Sequence, residues 1–208
     1  MRGRTPFARL LVFSVVLIGA LMLPAKALAS PFEAKIHVLP FNYTEAIVVE
    51  CNGRFGIVDS GEDNSYPDGS DQRYPLREGT IIGGGVEDKV IPYLWKIGVR
   101  PGNLDFYIGT HPHSDHIGSA SQIIQMFKPS RIYTPSYDDS YITDEDHLWD
   151  NQYVYDRLIE AAHEAEGEYG AQLIQNFTYL NRSFMLGGAF IQLYNTGTDY
   201  QTTGVFDA

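Results

Sequence analysis

A single α/β domain, with helices packed on a sheet, is the fold class this sequence predicts, and three observations predict it. Short runs of apolar and β-branched residues, such as Ile36-His37-Val38-Leu39 and Leu104 to Ile108, recur between turn signals. Asn52-Gly53, set between Ala46–Cys51 and Arg54–Asp59, is a strong two-residue hairpin signal. Further on, Ile117, Ala120, Ile124 and Phe127 recur at helical spacing, so strand and helix periods alternate along one chain.

The elements follow in order. Residues 1–29 read as a secretory signal peptide: Arg2, Arg4 and Arg9 are basic, Leu10 to Leu23 are almost wholly apolar, and Ala27-Leu28-Ala29 supplies small residues for cleavage. The run is short for a spanning helix, so no membrane-spanning segment is expected after cleavage; an uncleaved N-terminal anchor is the alternative reading. The domain then occupies residues 30–208. Strands are expected at 36–39 and 46–50, and Phe55, Ile57 and Val58 continue the pairing strand after the Asn52-Gly53 turn. Residues 62–85, rich in Asp, Gly, Pro and Ser, read as a long ordered loop of the kind that carries function. Pro92 suits the first turn of a short helix, Tyr93 to Ile97, which Gly98 ends. A helix after Ile117 stops at Pro129, a strand follows at Arg131 to Thr134, and a second helix is expected from Leu148 to about Glu166. Phe184 to Leu186 and Ala189 to Leu193 read as a closing hairpin around Gly187-Gly188.

Charge and cysteine content exclude some classes of partner. The chain has 15 Lys and Arg against 26 Asp and Glu, a net charge of −11, and removing the leader takes away Arg2, Arg4, Arg9 and Lys26 with no acid. Such a surface repels phosphate backbones, so no nucleic-acid partner is expected. The single cysteine, Cys51, forms no internal disulfide and sits in an apolar run as a small core residue. A leader of this kind places the product outside the cytoplasm: secreted, at the cell surface or periplasmic.

The segment Thr110-His111-Pro112-His113-Ser114-Asp115-His116-Ile117-Gly118 carries the chemistry. Alternate residues of an extended chain point the same way, so His111 and His113 can grip one ion together. Asp115 and His116 come after the chain has begun to turn and can face a second ion. Three imidazoles and a carboxylate within six positions suit zinc, although manganese or iron would accept the same groups. Crowding four titratable groups this closely needs a compensating charge, which a cation supplies. Two ions about 3.5–4 Å apart can clamp a hydrolytic transition state and make hydroxide available near neutral pH. His147 and His163 are weaker ligand candidates, and Gly83-Gly84-Gly85 lacks the Lys and Ser/Thr of a phosphate loop.

This His-x-His-x-Asp-His pattern, in its strand–loop–helix setting, resembles the metallo-β-lactamase superfamily. The resemblance implies an αβ/βα sandwich fold, present here mainly as its N-terminal half. It implies that His111, His113, Asp115 and His116 are metal ligands, with Asp115 also catalytic, and that Asp59 in Val58-Asp59-Ser60-Gly61 lies behind the ligands rather than among them. Tyr66-Pro67-Asp68-Gly69-Ser70-Asp71, Arg73-Tyr74-Pro75, Arg77-Glu78-Gly79, Leu148-Trp149-Asp150-Asn151 and Ile191-Gln192-Leu193-Tyr194-Asn195 are similar to the catalytic module of teichoic acid phosphorylcholine esterases. That closer likeness implies two zinc ions and hydrolysis of a small-molecule or cell-wall-linked phosphodiester. Trp149 could cage the quaternary ammonium group of such a substrate.

The superfamily's later half normally adds a bridging Asp and a further His, and no His follows His163 here. The domain is therefore expected to be C-terminally incomplete. Two other readings stand beside the phosphodiesterase: a hydrolase of lactams, lactones or thioesters on the same fold, and a non-catalytic metal-binding remnant. All three need the cluster to bind metal, except that a remnant need not turn anything over. His113→Ala is expected to abolish metal retention while leaving export unchanged; metal analysis of the purified variant checks this, and an unaltered metal content would remove His113 from the ligands.

Overall fold

Strand register decides what faces what in this domain. The computed structural model describes residues 33–194, so the leader at 1–29 lies outside the described residues. Strands β1 (Ala34–Val38), β2 (Ala46–Cys51) and β3 (Arg54–Ser60) form an antiparallel meander. Asn52 and Gly53 have φ of 49° and 74°, the pair of positive values that a tight primed hairpin turn demands. Parallel strands β4 (Leu104–Ile108), β5 (Arg131–Tyr133) and β6 (Gln172–Ile174) extend the sheet from β3, in the order β1-β2-β3-β4-β5-β6. Helix α1 (Glu87–Ile97) links β3 to β4, α2 (Ser114–Ile117) and α3 (Ala120–Phe127) link β4 to β5, and α4 (Asn151–Tyr169) links β5 to β6. A separate hairpin, β7 (Ser183–Leu186) and β8 (Ala189–Gln192), turns at Gly187-Gly188.

The two faces of the sheet bury different cores. On one face Val48, Phe55, Ile57, Tyr107 and Ile132 pack against Val90 and Leu94 of α1, Ile123, Ile124 and Phe127 of α3, and Val154, Leu158 and Ala162 of α4. On the other, Cys51, Phe106 and Tyr133 are covered by Phe184 and Leu186 of the hairpin. Cys51 is fully buried there, as a small core residue. Gly56 is paired with Phe106 across β3 and β4, and any Cβ at Gly56 would collide with the Phe106 ring. Among the described residues, no helix is long and apolar enough to cross a membrane.

Several boundaries differ from the expected ones, each for a local reason. Helix α1 begins at Glu87, so the exposed Pro92 lies in its second turn and not its first. The helix tolerates it because the Asp88 carbonyl that loses its partner is on the solvent side. The single helix expected after the histidine cluster is two, broken at Gly118-Ser119. There the backbone of the segment after β3 and of α2 itself comes so close that a Cβ on Gly118 would stand 2.5 Å from Ser114 O and 2.6 Å from Asp63 N. Helix α4 starts at Asn151 and not Leu148, leaving Trp149 outside it at φ 38°. The long segment 62–85 has no helix or strand, yet it is tied down: the Tyr74 hydroxyl donates to Asp156 Oδ2 at 2.6 Å, and the Arg77 guanidinium pairs with Asp139 at 2.8 Å.

Candidate metal centre

The parallel pairing of β3 with β4 places the ends of these strands side by side, with Val58 opposite Ile108. Asp59, the next residue of β3, therefore lies beside the start of the histidine loop. Its carboxylate is 3% exposed and fully engaged. Oδ1 accepts the Thr110 backbone N–H at 2.8 Å, while Oδ2 accepts the Thr110 hydroxyl at 2.7 Å and His116 Nδ1 at 2.9 Å. Asp59 adopts φ 54°, a left-handed conformation that Asp tolerates better than most residues, and the bend turns its side chain to the loop.

These bonds settle the histidine tautomers. His116 Nδ1 donates to Asp59, which leaves its Nε2 as a lone-pair donor. The Thr110 hydroxyl spends its one proton on Asp59, so it accepts from His111 Nδ1 at 3.0 Å, and His111 Nε2 is likewise free of a proton. That atom faces His113 Nδ1 at 3.1 Å. Two nitrogens held by one tetrahedral ion at about 2.0–2.1 Å stand about 3.3 Å apart, so this pair has the spacing of a chelate. Without an ion, a proton on His113 Nδ1 bridges the two rings; an ion can take its place. The Asp115 carboxylate lies 3.7 Å from His116 Nε2, and the His111 and His116 rings are 3.9 Å apart. His111 thus meets both His113 and His116, Asp115 lies near His116, and donor atoms of these types suit zinc.

Electrostatics prepare the same atoms. Burial depresses His111 and, together with the neighbouring His111 charge, takes His113 down to about 4, so both imidazoles are neutral at neutral pH. Burial works against a charge on His116 too, but the hydrogen bond and charge of Asp59, with Asp115 and Glu45, outweigh it and raise its pKa. The loop is held from below by backbone bonds: the Asp115 carbonyl accepts from Glu45 N at 3.0 Å and from the Thr44 hydroxyl at 2.6 Å, and Gly61 N donates to the His116 carbonyl at 3.1 Å.

Trp149 stands against this site. Its ring is 5.0 Å from that of His113 and 5.4 Å from that of His147, both edge to face. Gly79 lets it lie there, since a Cβ on Gly79 would be 2.7 Å from the indole. His147 reaches the site through Trp149 and through its charge beside His113, and it also pairs with Asp144 at 3.2 Å. His163 is exposed on α4, bonded to Glu166 at 2.9 Å. A cleft of about 780 Å³ adjoins Trp149, lined by Arg77, Glu78, Gly79, Glu145, Asp146 and Leu148.

The chain matches the metallo-beta-lactamase superfamily over residues 40–204, and it belongs to that superfamily. That class is generally hydrolytic and metal-dependent. No curated protein is significantly similar to this chain. A crystal structure of the hydrolase AbOPH, in the beta lactamase superfamily, aligns at 16% identity and TM-score 0.40, covering 67% of this chain and 45% of that one. A Thermotoga maritima protein described as a metallo-beta-lactamase aligns at 14% identity and TM-score 0.37, covering 72% of this chain and 64% of that one. This chain spans less than two thirds of the length of either.

Sequence reasoning missed Glu45. Among the described residues it forms, with Asp59 and His116, a group whose donor atoms lie within 4.8 Å of one another. Asp59 is already saturated by Thr110 and His116, so the free donor Glu45 adds to the site is its own exposed carboxylate. Nothing in the sequence marks it: Glu45 reaches the loop through a bond to the Asp115 carbonyl, seventy positions away. Glu62, Asp63 and Asp150, also unforeseen, are buried beneath the loop at 2%, 0% and 3% exposure. Burial pushes Glu62 up to about 8, against the Ser114 hydrogen bond, and Asp63 up to about 7, against Arg157; burial raises Asp150 as well.

These shifts fix a pH dependence. Between 6.5, the ordinary histidine value, and about 8, the folded chain holds more protons on Glu62, Asp63 and His116 than the unfolded chain does. Stability must therefore fall as pH rises through that window. Below it, the depressed His111 and His113 act in the opposite sense. Denaturant midpoints of the chelator-treated protein are expected to decline across the window, with Glu62→Gln flattening the slope; a rise in stability there would contradict these assignments.

Proposed function

We propose that this chain carries the metal centre of an exported, zinc-dependent hydrolase of phosphodiesters, with phosphorylcholine-type esters as substrates. The observation that carries the reading is the donor set itself: His111 Nε2 and His113 Nδ1 at chelate spacing, with His116 Nε2 and Asp115 beside them. The chemistry that zinc ions would supply is Lewis acidity at the phosphoryl oxygen and a water acidified toward neutral pH. Asp115, partly exposed, would serve as a ligand and as a carboxylate able to take a proton from that water.

Substrate choice rests on the wall of the site. Glu78, Glu145 and Asp146 give the cleft beside Trp149 a negative rim, and the indole offers a π-face next to His113. A quaternary ammonium group suits both, through charge and through cation–π attraction. A zwitterionic ester also meets the net charge of −11 better than a polyanion does. Arg77 fixes the wall by donating to the Trp149 carbonyl at 3.3 Å while paired with Asp139. Export rests on the leader at 1–29, and the product would act outside the cytoplasm, on a small or wall-linked substrate.

The test is turnover of a chromogenic phosphorylcholine diester by the full chain, with and without zinc. Zinc-dependent release is expected, and Trp149→Ala should raise KM about 3- to 30-fold for the choline ester while leaving a choline-free diester unaffected. Hydrolysis of a lactone, lactam or thioester without any of the diester would replace this reading. Zinc binding without turnover of any ester would mark a non-catalytic binding protein.

A further inference from the structure

Asp150 holds the N-cap position of α4, where an Asp side chain ordinarily accepts an N–H of the helix's first turn, yet it caps none of these and meets its own backbone N–H. Its carboxylate faces the Ser114 hydroxyl instead. Glu62 faces that hydroxyl as well, its Oε2 accepting from Ser114 Oγ at 3.0 Å. The other oxygen of each carboxylate, Glu62 Oε1 and Asp150 Oδ2, is buried with no partner, as is the Oδ1 of neighbouring Asn151. Arg157 does not serve them, being committed to Asp63 at 2.5 Å. Two buried carboxylates thus converge on one hydroxyl with their outer oxygens unused, and leaving such groups charged and unpaired is costly.

We propose that Glu62, Ser114 and Asp150 form a buried site for a hard divalent cation of the calcium type, distinct from the histidine donors. The donors are all oxygen, two carboxylates and a hydroxyl, which suits calcium and not zinc. Magnesium keeps several waters, for which residues 2% to 8% exposed leave little access. The two unpaired carboxylates match the charge of such an ion. An ion there joins the segment after β3, the histidine loop and the start of α4, and so stiffens the chain on which His113 and Asp115 flank Ser114. The site is independent of the phosphodiesterase reading, since it uses none of the zinc ligands.

The experiment is a calcium titration of the full chain, first saturated with zinc, followed by calorimetry and by thermal melting. Saturable uptake of calcium with a higher melting temperature is expected. Glu62→Gln and Asp150→Asn, both close in shape to the parent, should each weaken uptake about tenfold or more. His113→Ala should lose zinc and keep calcium, which separates this site from the histidine centre. No saturable uptake by the parent would overturn the proposal, whether or not a variant folds. Uptake unchanged in both variants would overturn it as well, and variants that melt above a calcium-indifferent parent would assign the pair to a shared proton.

Discussion

The carboxylate of Asp59 holds the histidine loop at both ends, through Thr110 at its start and His116 at its close. Without it, neither ring tautomer is defined: Thr110 would be free to donate to His111, and His116 could present either nitrogen. The contact exists because β3 and β4 run parallel and in register, so that a residue ending one strand meets the residue following the other. Ligand sites beyond the carboxyl ends of parallel strands are a general outcome of such sheets. Here the left-handed turn at Asp59 directs that geometry onto a particular pair of neighbours.

The rest of the domain keeps this contact in place. The helical core fixes one face of the sheet, and Gly56 lets Phe106 close the other beneath the hairpin. Thr44 works in both directions, its hydroxyl donating to the Asp115 carbonyl and accepting from Glu62 N at 2.7 Å. Gly118 permits the chain after β3 to lie directly against the loop. Burial then tunes what this frame holds, keeping His111 and His113 neutral while a carboxylate partner supports His116. The same burial leaves Glu62 and Asp150 short of partners.

Features set by neighbours in sequence were legible. The hairpin at Asn52-Gly53, the strand Leu104–Ile108 and the histidine spacing each depend on a few adjacent residues, and the fold class followed from their alternation. Boundaries were less so: Pro92 read as a helix start and Gly118 as no break at all, whereas packing decides what they do. Strand β6, three residues long, forms because Arg131 to Tyr133 offers it an edge, and no three-residue run announces that. In the site, the histidine cluster was readable and its supports were not: Thr44, Glu45, Glu62 and Asp150 reach the loop across long stretches of chain.

The central claim is that Asp59 orients ligands and does not bind metal, and zinc anomalous scattering from crystals of the zinc-loaded full chain tests it most directly. The account predicts zinc at about 2.0–2.1 Å from His116 Nε2 and from the facing nitrogens of His111 and His113, with Asp59 still bonded to Thr110 and His116 Nδ1. Zinc held between Glu45 and Asp59, with Asp59 released from Thr110, would contradict it.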